Sequence, residues 1–311
     1  MSDGQPNPGI TLFAIPKPFH GLIGTIQRNA VKSWTKLGPQ CQIILLGDDD
    51  GVAEVSTELG LHHIPNIAVN DHGTPLVSDL FHKAEQAATS RVMCYVNADI
   101  ILTGDFLQAI EDVLTTTDRF LMVGQRWDLD LDRQWDFDSP EWEATLLQLV
   151  TNRGILHSKA GIDYFVYSRG LLSGMPPFAI GRTAWDNWII ARGRKRAVPV
   201  IDATSRVSAI HQNHDYGSFG SKQGMWSSQE AQVNQRMMGL DYATLDDVSH
   251  FLLPHGQGMR SAWTLDQLVQ HPRRIIGRFP ALGVPARVVD VGLRRSRSLR
   301  STLKLTRSSW R

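Results

Sequence analysis

Residues 92–102 read VMCYVNADIIL, an apolar run interrupted by Asn97, Ala98 and Asp99. Side chains alternate along an extended chain, so Asn97 and Asp99 share a face. Two oxygen-bearing side chains at a strand end can hold a hard divalent cation, and such a cation can bridge diphosphate oxygens and neutralise charge as a leaving group departs. The triplet alone describes equally well a turn in which Asn and Asp cap the next helix. His211 and His214, in IHQNHDY, offer nitrogen ligands. A spacing of three puts them on one side only where the chain is helical, and no cysteine or second histidine pair stands nearby to complete a structural zinc site.

Other patterns are rejected on their own chemistry. WDLDLD places Asp128, Asp130 and Asp132 at the first three ligand positions of a calcium loop, but Arg133 falls where that loop needs Gly and Ser139 where it needs Glu. An acceptor-side loop, with Trp127 and Trp135 stacking on sugar rings, is preferred to a calcium site. LLGDDDG resembles the strand and acid of P-loop ATPases, yet the chain holds neither G-x-x-x-x-G-K-[ST] nor G-x-G-x-x-G. The two cysteines, Cys41 and Cys94, sit in apolar strand-like runs and read as buried thiols. From Arg273 to Arg311 the charge is +10, and the preceding 272 residues carry −9. A basic tail on an acidic body points to an anionic partner.

These residues need elements to position them. ITLFA and the residues after it read as a buried strand ending at its prolines. Ile26, Ala30, Val31 and Trp34 have helical spacing. CQIILLG, LHHIPNI and RVMCYVNADIIL read as strands, separated by helical segments VAEVSTELG and PLVSDLFHKAEQAAT. This alternation predicts an α/β fold with a parallel sheet, helices on both faces and ligands at the carboxyl ends of its strands. DFLQAIEDVLTTT continues as a helix, FLMVGQRW as a strand, residues 140–152 as a helix, GIDYFVYSRG as a strand and TAWDNWIIARGRKR as a helix. One or two strands follow, ending in the polar turn at 211–217. Residues 1–9 read as a flexible lead-in, 10–265 as the folded domain and 266–311 as a basic extension. The start has no basic and apolar leader pattern and no apolar run approaches about 18 residues, so a soluble, cytoplasmic chain is expected.

Taken together, IPKPF after the first strand, the helix QRNAVKSW, the strands IILLGDDDG and YVNADIIL, then RWDLD, GIDYF, the WDNW helix and IHQNHDY resemble nucleotide-sugar glycosyltransferases of the GT-A fold. The resemblance spans roughly residues 10–245 and implies a mostly parallel central sheet with helices on both faces. Asn97–Asp99 stands where that family has Asp-x-Asp, which binds Mn²⁺ or Mg²⁺ and the donor diphosphate. With Asn first, Asp99 is the implied direct metal ligand and Asn97 a nucleotide-sugar contact. His211 and His214 are implied to complete the metal shell. Pro16 and Lys17 close the first strand, where the family holds the nucleotide, and Asp48 ends the second, where base or ribose is read. Asp163 is placed to meet donor-sugar hydroxyls and Asp186 to serve as the base of an inverting transfer.

The implied activity moves a sugar from a nucleoside diphosphate, UDP by family default, to a hydroxyl of a glycan or lipid-linked acceptor. Leu299 and Leu303, one helical turn apart among arginines, fit residues 290–311 to the anionic inner face of a membrane; no nucleic acid partner is expected. A sugar nucleotidyltransferase is the first rival, and IPKPFHGLIG lacks the Gly-rich, Arg-containing loop it would carry. A non-catalytic carbohydrate- or membrane-associated binding protein is the second, with Asn97 as the record of a lost metal site.

Overall fold

ITLFA forms β1 (Ile10–Ala14), every residue of which is buried, and its neighbours are set by the β-α alternation that follows. The computed structural model describes residues 9–159, 161–214, 228–254 and 256–262. The chain divides into two units, Met1–Ser261 and Ala262–Arg311, and all the elements named here lie in the first. After β1 come α1 (Gly21–Thr35), β2 (Cys41–Leu46), α2 (Val52–Glu58), β3 (His62–Ile64), α3 (Val77–Ala87), β4 (Val92–Val96), β5 (Ile100–Ile101) and α4 (Gly104–Leu114). Next are β6 (Leu121–Val123), β7 (Trp127–Leu129), α5 (Trp142–Arg153), β8 (Ile155–Leu156), β9 (Tyr164–Ser168), α6 (Trp185–Lys195) and β10 (Val200–Asp202). β11 (Ile210–Gln212), α7 (Gln229–Met238), β12 (His250–Leu252) and β13 (Met259–Ser261) complete the described elements.

Nine strands make the central sheet, in the order β13-β12-β10-β6-β9-β4-β1-β2-β3. β1 pairs in parallel with β2 and β4, β2 with β3, and β10 with β6 and β12. Only β9 and the edge strand β13 run the other way. The sheet is therefore mostly parallel, as the resemblance implies, with β9 and β13 departing from the parallel sheet that the alternation predicts. Alternation along β1 and β4 feeds two faces. Leu12 and Cys94 join a core with Ala30, Val31 and Trp34 of α1 and Phe106 and Ile110 of α4. On the opposite face Phe13 and Tyr95 pack with Phe81 of α3 and Trp185 of α6, at ring-centroid distances of 5.0–6.5 Å. Helices thus cover both faces, and Cys41 and Cys94 are free thiols. No helix among the described residues is long and apolar enough to cross a membrane.

A second sheet, β5-β11-β7-β8, departs from the sequence reading. RVMCYVNADIIL is two strands, not one: β4 belongs to the large sheet and β5 to the small one, with Asn97–Asp99 at the crossing. FLMVGQRW breaks in the same way into β6 and β7. An unbroken apolar run reports burial without reporting which sheet it joins, which is why both breaks were invisible. β8 has both residues exposed and so carries no apolar signal. The small sheet rests on its own cluster of Ile101, Leu129, Leu131, Phe137, Leu146, Val150 and Ile210, flanked by the half-buried Trp127 and Trp135. Trp135 donates its indole N–H to the Trp142 carbonyl at 3.3 Å, so it packs as a wall of this cluster.

Candidate active site

Because β1, β2 and β4 run in parallel and in register, their carboxyl ends fall on one edge of the sheet. Pro16 and Lys17 follow β1, Asp48 follows β2 and Asn97–Asp99 follow β4, so that edge gathers all the donor-side residues expected from the sequence. Pro16 is buried, and Lys17 and Asp48 are exposed. The buried Gln27 of α1 clamps the Lys17 backbone, accepting its N–H at 2.7 Å and donating to its carbonyl at 2.8 Å. Gly51 caps α2 at φ 86°, and a Cβ there would stand 2.8 Å from Phe19. Only glycine combines that left-handed backbone with so close an approach, and the Phe19 N–H reaches the Asp50 carbonyl at 2.8 Å. Asp49 and Asp50 thus serve the turn through backbone groups, and the residue that caps α2 is Gly51.

The small sheet brings the ionisable residues together. His211↔Ile100 and His211↔Asp128 are direct cross-strand partners in β5-β11-β7, which sets His211 beside Asp99 on one flank and Asp128 on the other. His211 Nε2 lies 3.6 Å and His214 Nε2 3.2 Å from Asp99 Oδ2. One ligand atom of each of Asp99, His211 and His214 lies within 4.8 Å of the others. The two histidines meet because the chain leaves β11 at Asn213, whose N–H bonds to the Leu129 carbonyl at 2.9 Å, and no helical turn is involved. Asp99 Oδ1 is buried and has no hydrogen-bond partner in the structure. A buried carboxylate oxygen left open beside two imidazoles fits a divalent cation.

Buried amides hold this corner in place. Gln212 donates to the Asp99 carbonyl at 3.2 Å and the Ile26 carbonyl at 2.9 Å, and accepts from Asn29 at 2.8 Å. Asn29 also donates to the Arg133 carbonyl and accepts the Trp135 N–H, both at 2.9 Å. The fully buried Trp34 donates to the Ile100 carbonyl at 2.9 Å. Gln212 and Trp34 therefore hold the carbonyls of Asp99 and Ile100, and Asn29 holds Gln212 in turn.

Asn97 is engaged elsewhere. β9 enters antiparallel to β4, so Asp163, just before β9, lies beside Asn97, and the Asn97 N–H reaches the Asp163 carbonyl at 2.9 Å. The Asn97 side-chain amide donates to Asp163 Oδ1 at 2.5 Å, while Arg126 donates to Asp163 Oδ2 at 2.8 Å and to Asp128 Oδ1 at 2.9 Å. His157 Nδ1 meets Asp128 Oδ2 at 2.5 Å. Nothing in the local sequence marks Arg126, Asp128 and His157 as one group: WDLDLD alone suggests an acceptor-side loop, and only cross-strand pairing of β7 with β8 and β11 brings the three together.

The electrostatics follow from these contacts. Burial by itself raises the Asp99 pKa, but the His214 hydrogen bond and the nearby His211, His214 and Arg126 outweigh it and hold the carboxyl below its usual range. Asp128 behaves alike, burial being overcome first by the His157 hydrogen bond and then by Arg126. Burial lowers the His211 pKa, opposed by Asp99. Asp186 is different. It stands in the first turn of α6, behind Ala184, which caps the helix at φ 93°. Burial pushes its carboxyl up to about 6, against the pull of the Asn187, Asp186 and Ala184 backbone N–H groups and with Asp163 adding to the rise. Its Oδ1 is buried without a partner. Non-glycine residues at positive φ are uncommon and collect at functional sites, and Asn234 holds this loop by accepting the Ala179 N–H at 2.9 Å and donating to the Ala179 and Thr183 carbonyls at 3.0 and 3.1 Å.

No family model matches the sequence, and no curated protein matches it. Solved structures do match in fold. The S. aureus TarS 1–349 complex with UDP-GlcNAc aligns at TM-score 0.49 and 11% identity, covering 75% of this chain and 66% of that one. The mannosyltransferase PcManGT from Pyrobaculum calidifontis, in complex with GDP-Man and Mn²⁺, aligns at TM-score 0.43 and 12% identity, covering 68% and 59%. Glucosyl-3-phosphoglycerate synthase from Mycobacterium tuberculosis, with Mg²⁺ and UDP, aligns at 0.44 and 12%, covering 82% and 87%. This chain spans 66% of TarS 1–349 and 59% of PcManGT.

Proposed function

We propose that this protein is a glycosyltransferase that moves a sugar from a nucleoside diphosphate to an acceptor hydroxyl, with inversion and with a divalent cation, Mn²⁺ or Mg²⁺, at Asp99, His211 and His214. The observation that carries the reading is the Asp99 carboxylate at the carboxyl edge of a mostly parallel sheet, where such sheets take their ligands, with Oδ2 meeting two imidazoles and Oδ1 buried and unpartnered. A cation held there would supply charge neutralisation to the departing diphosphate. Asn97 and Asp163 line the same edge. Asp163 already accepts from Asn97 and Arg126, so its remaining lone pairs are what it offers to sugar hydroxyls. Pro16, Lys17 and Asp48 stand where a nucleotide would lie across the ends of β1 and β2, and UDP is the preferred nucleotide.

Asp186 acts as base. Its carboxylate takes the proton of the acceptor hydroxyl while that oxygen forms a bond to the anomeric carbon, and the carbon–oxygen bond to the diphosphate breaks with its electrons leaving on the diphosphate. A carboxyl raised to about 6 is ionised at neutral pH yet more basic than an exposed one, which suits proton abstraction. A glycan or lipid-linked hydroxyl is the acceptor class, and residues 290–311, outside the described residues, would meet an anionic membrane surface. The test is release of nucleoside diphosphate from UDP-sugars with Mn²⁺. Asp99→Asn and Asp186→Asn should each lower turnover by about 100-fold or more; rates within threefold of wild type overturn the assignment.

A further inference from the structure

Asp128 is the most heavily served carboxylate in the small sheet, and the transfer chemistry gives it no direct task. Its Oδ2 takes the His157 Nδ1 contact at 2.5 Å, and its Oδ1 accepts from Arg126 Nε at 2.9 Å and faces His211 Nδ1 at 3.3 Å. The last contact is imposed by the fold, because Asp128 and His211 are register partners on the parallel strands β7 and β11. The other ring nitrogen, Nε2, faces Asp99 Oδ2 at 3.6 Å, and that oxygen already has His214 Nε2 at 3.2 Å.

A neutral imidazole carries one proton, and the hydrogen-bond partner of one nitrogen decides what the other can do. His211 Nδ1 is buried, forms no hydrogen bond with the ring as it stands, and lies closer to a carboxylate than Nε2 does, which makes Asp128 the nearest acceptor for its proton. We propose that Asp128 is a positioning residue: it holds the His211 proton on Nδ1, leaving the Nε2 lone pair directed to the side of Asp99 where the cation would bind. Arg126 and His157 fix the carboxylate from its other edges, and Arg126 ties it to Asp163, so both sheets share one charged network. Carboxylate support of this kind orients metal-binding histidines and is typically worth 10- to 100-fold in metal affinity. This inference rests on the metal reading above but reaches past its ligands to the group that sets their proton.

The decisive measurement uses metal-free, ¹⁵N-histidine-labelled full-length protein and two-bond ¹H–¹⁵N spectra, with His211 assigned by its loss in His211→Gln. Wild type should show His211 protonated at Nδ1 with Nε2 bare. Asp128→Asn should move the ring toward the Nε2–H form and weaken Mn²⁺ binding, titrated with the metal alone, by about 10- to 100-fold. A wild-type His211 protonated at Nε2 overturns the proposal whether or not the variant folds. So does an Asp128→Asn protein that keeps the wild-type tautomer and binds Mn²⁺ within twofold. Wild type that shows Nδ1–H but binds no Mn²⁺ supports the hold by Asp128 and overturns the metal reading instead.

Discussion

Asn97 and Asp99 are two residues apart, and their side chains serve different partners. The Asn97 amide satisfies Asp163 Oδ1 at 2.5 Å, so a carboxylate at 97 would set two negative groups in contact and force one to take up a proton. Asn97→Asp should therefore unfold at a lower temperature than wild type at pH 7, and the deficit should shrink toward pH 4, because a raised folded-state pKa stabilises only below it. Matched melting curves at the two pH values check this; an equal deficit at both contradicts it. The same sign applies to Asp186, whose carboxyl is pushed up to about 6. Its ionisation costs stability as pH rises through that value, so Asp186→Asn should melt a few degrees above wild type at pH 8 while losing turnover, a trade seen where function needs a strained group. The wild-type pH–rate profile should fall below about pH 6 as the base is protonated, and a profile flat to pH 4.5 would remove Asp186 from that role.

At the scale of elements, Asp99 lies between β4 and β5, and its carbonyl is held by Gln212, which Asn29 holds in turn. Gln212→Ala removes the acceptor of one Asn29 amide hydrogen and the side-chain donor to the Asp99 and Ile26 carbonyls, while the Asp99 carbonyl keeps the backbone N–H of residue 212; a buried group left unpaired costs about 1–3 kcal/mol. Urea unfolding should show a loss of at least that size, accompanied by weaker Mn²⁺ binding; a loss of stability with Mn²⁺ binding intact would mean that the amide network does not position Asp99. Much of this arrangement was legible in the sequence. The β-α alternation points to the large sheet, and the Asn-x-Asp strand end, the histidine pair and the WDNW acid are local patterns, of which the fold sets Asp99 beside both histidines and Asp186 in the first turn of α6. The small sheet was not legible, because strands of two or three residues carry little periodicity and their pairing is non-local. Arg126, Asp128 and His157 depend entirely on that pairing: the first acid of WDLDLD, a stretch that alone suggests an acceptor-side loop, stands in β7 with Oδ1 3.3 Å from His211 Nδ1.

For the whole molecule, the charge asymmetry and the nucleotide site make separate predictions. Ending the chain at residue 270 removes the +10 segment, and it should abolish binding to anionic liposomes while leaving transfer to a soluble acceptor within about twofold; retained liposome binding would sever the tail from any membrane role. The nucleotide site is tested most directly by thermal unfolding of the full chain with UDP-, GDP-, dTDP- and CMP-sugars in Mn²⁺, Mg²⁺ or EDTA. A ligand at 100 times its Kd adds about 2.7 kcal/mol, so one nucleotide family, UDP first, should raise the melting temperature by about 5–10 °C. That rise should vanish in EDTA and in Asp99→Asn. A melting temperature that no nucleotide sugar moves in the presence of metal, or a rise indifferent to EDTA, would contradict the cation-assisted donor site at Asp99, His211 and His214.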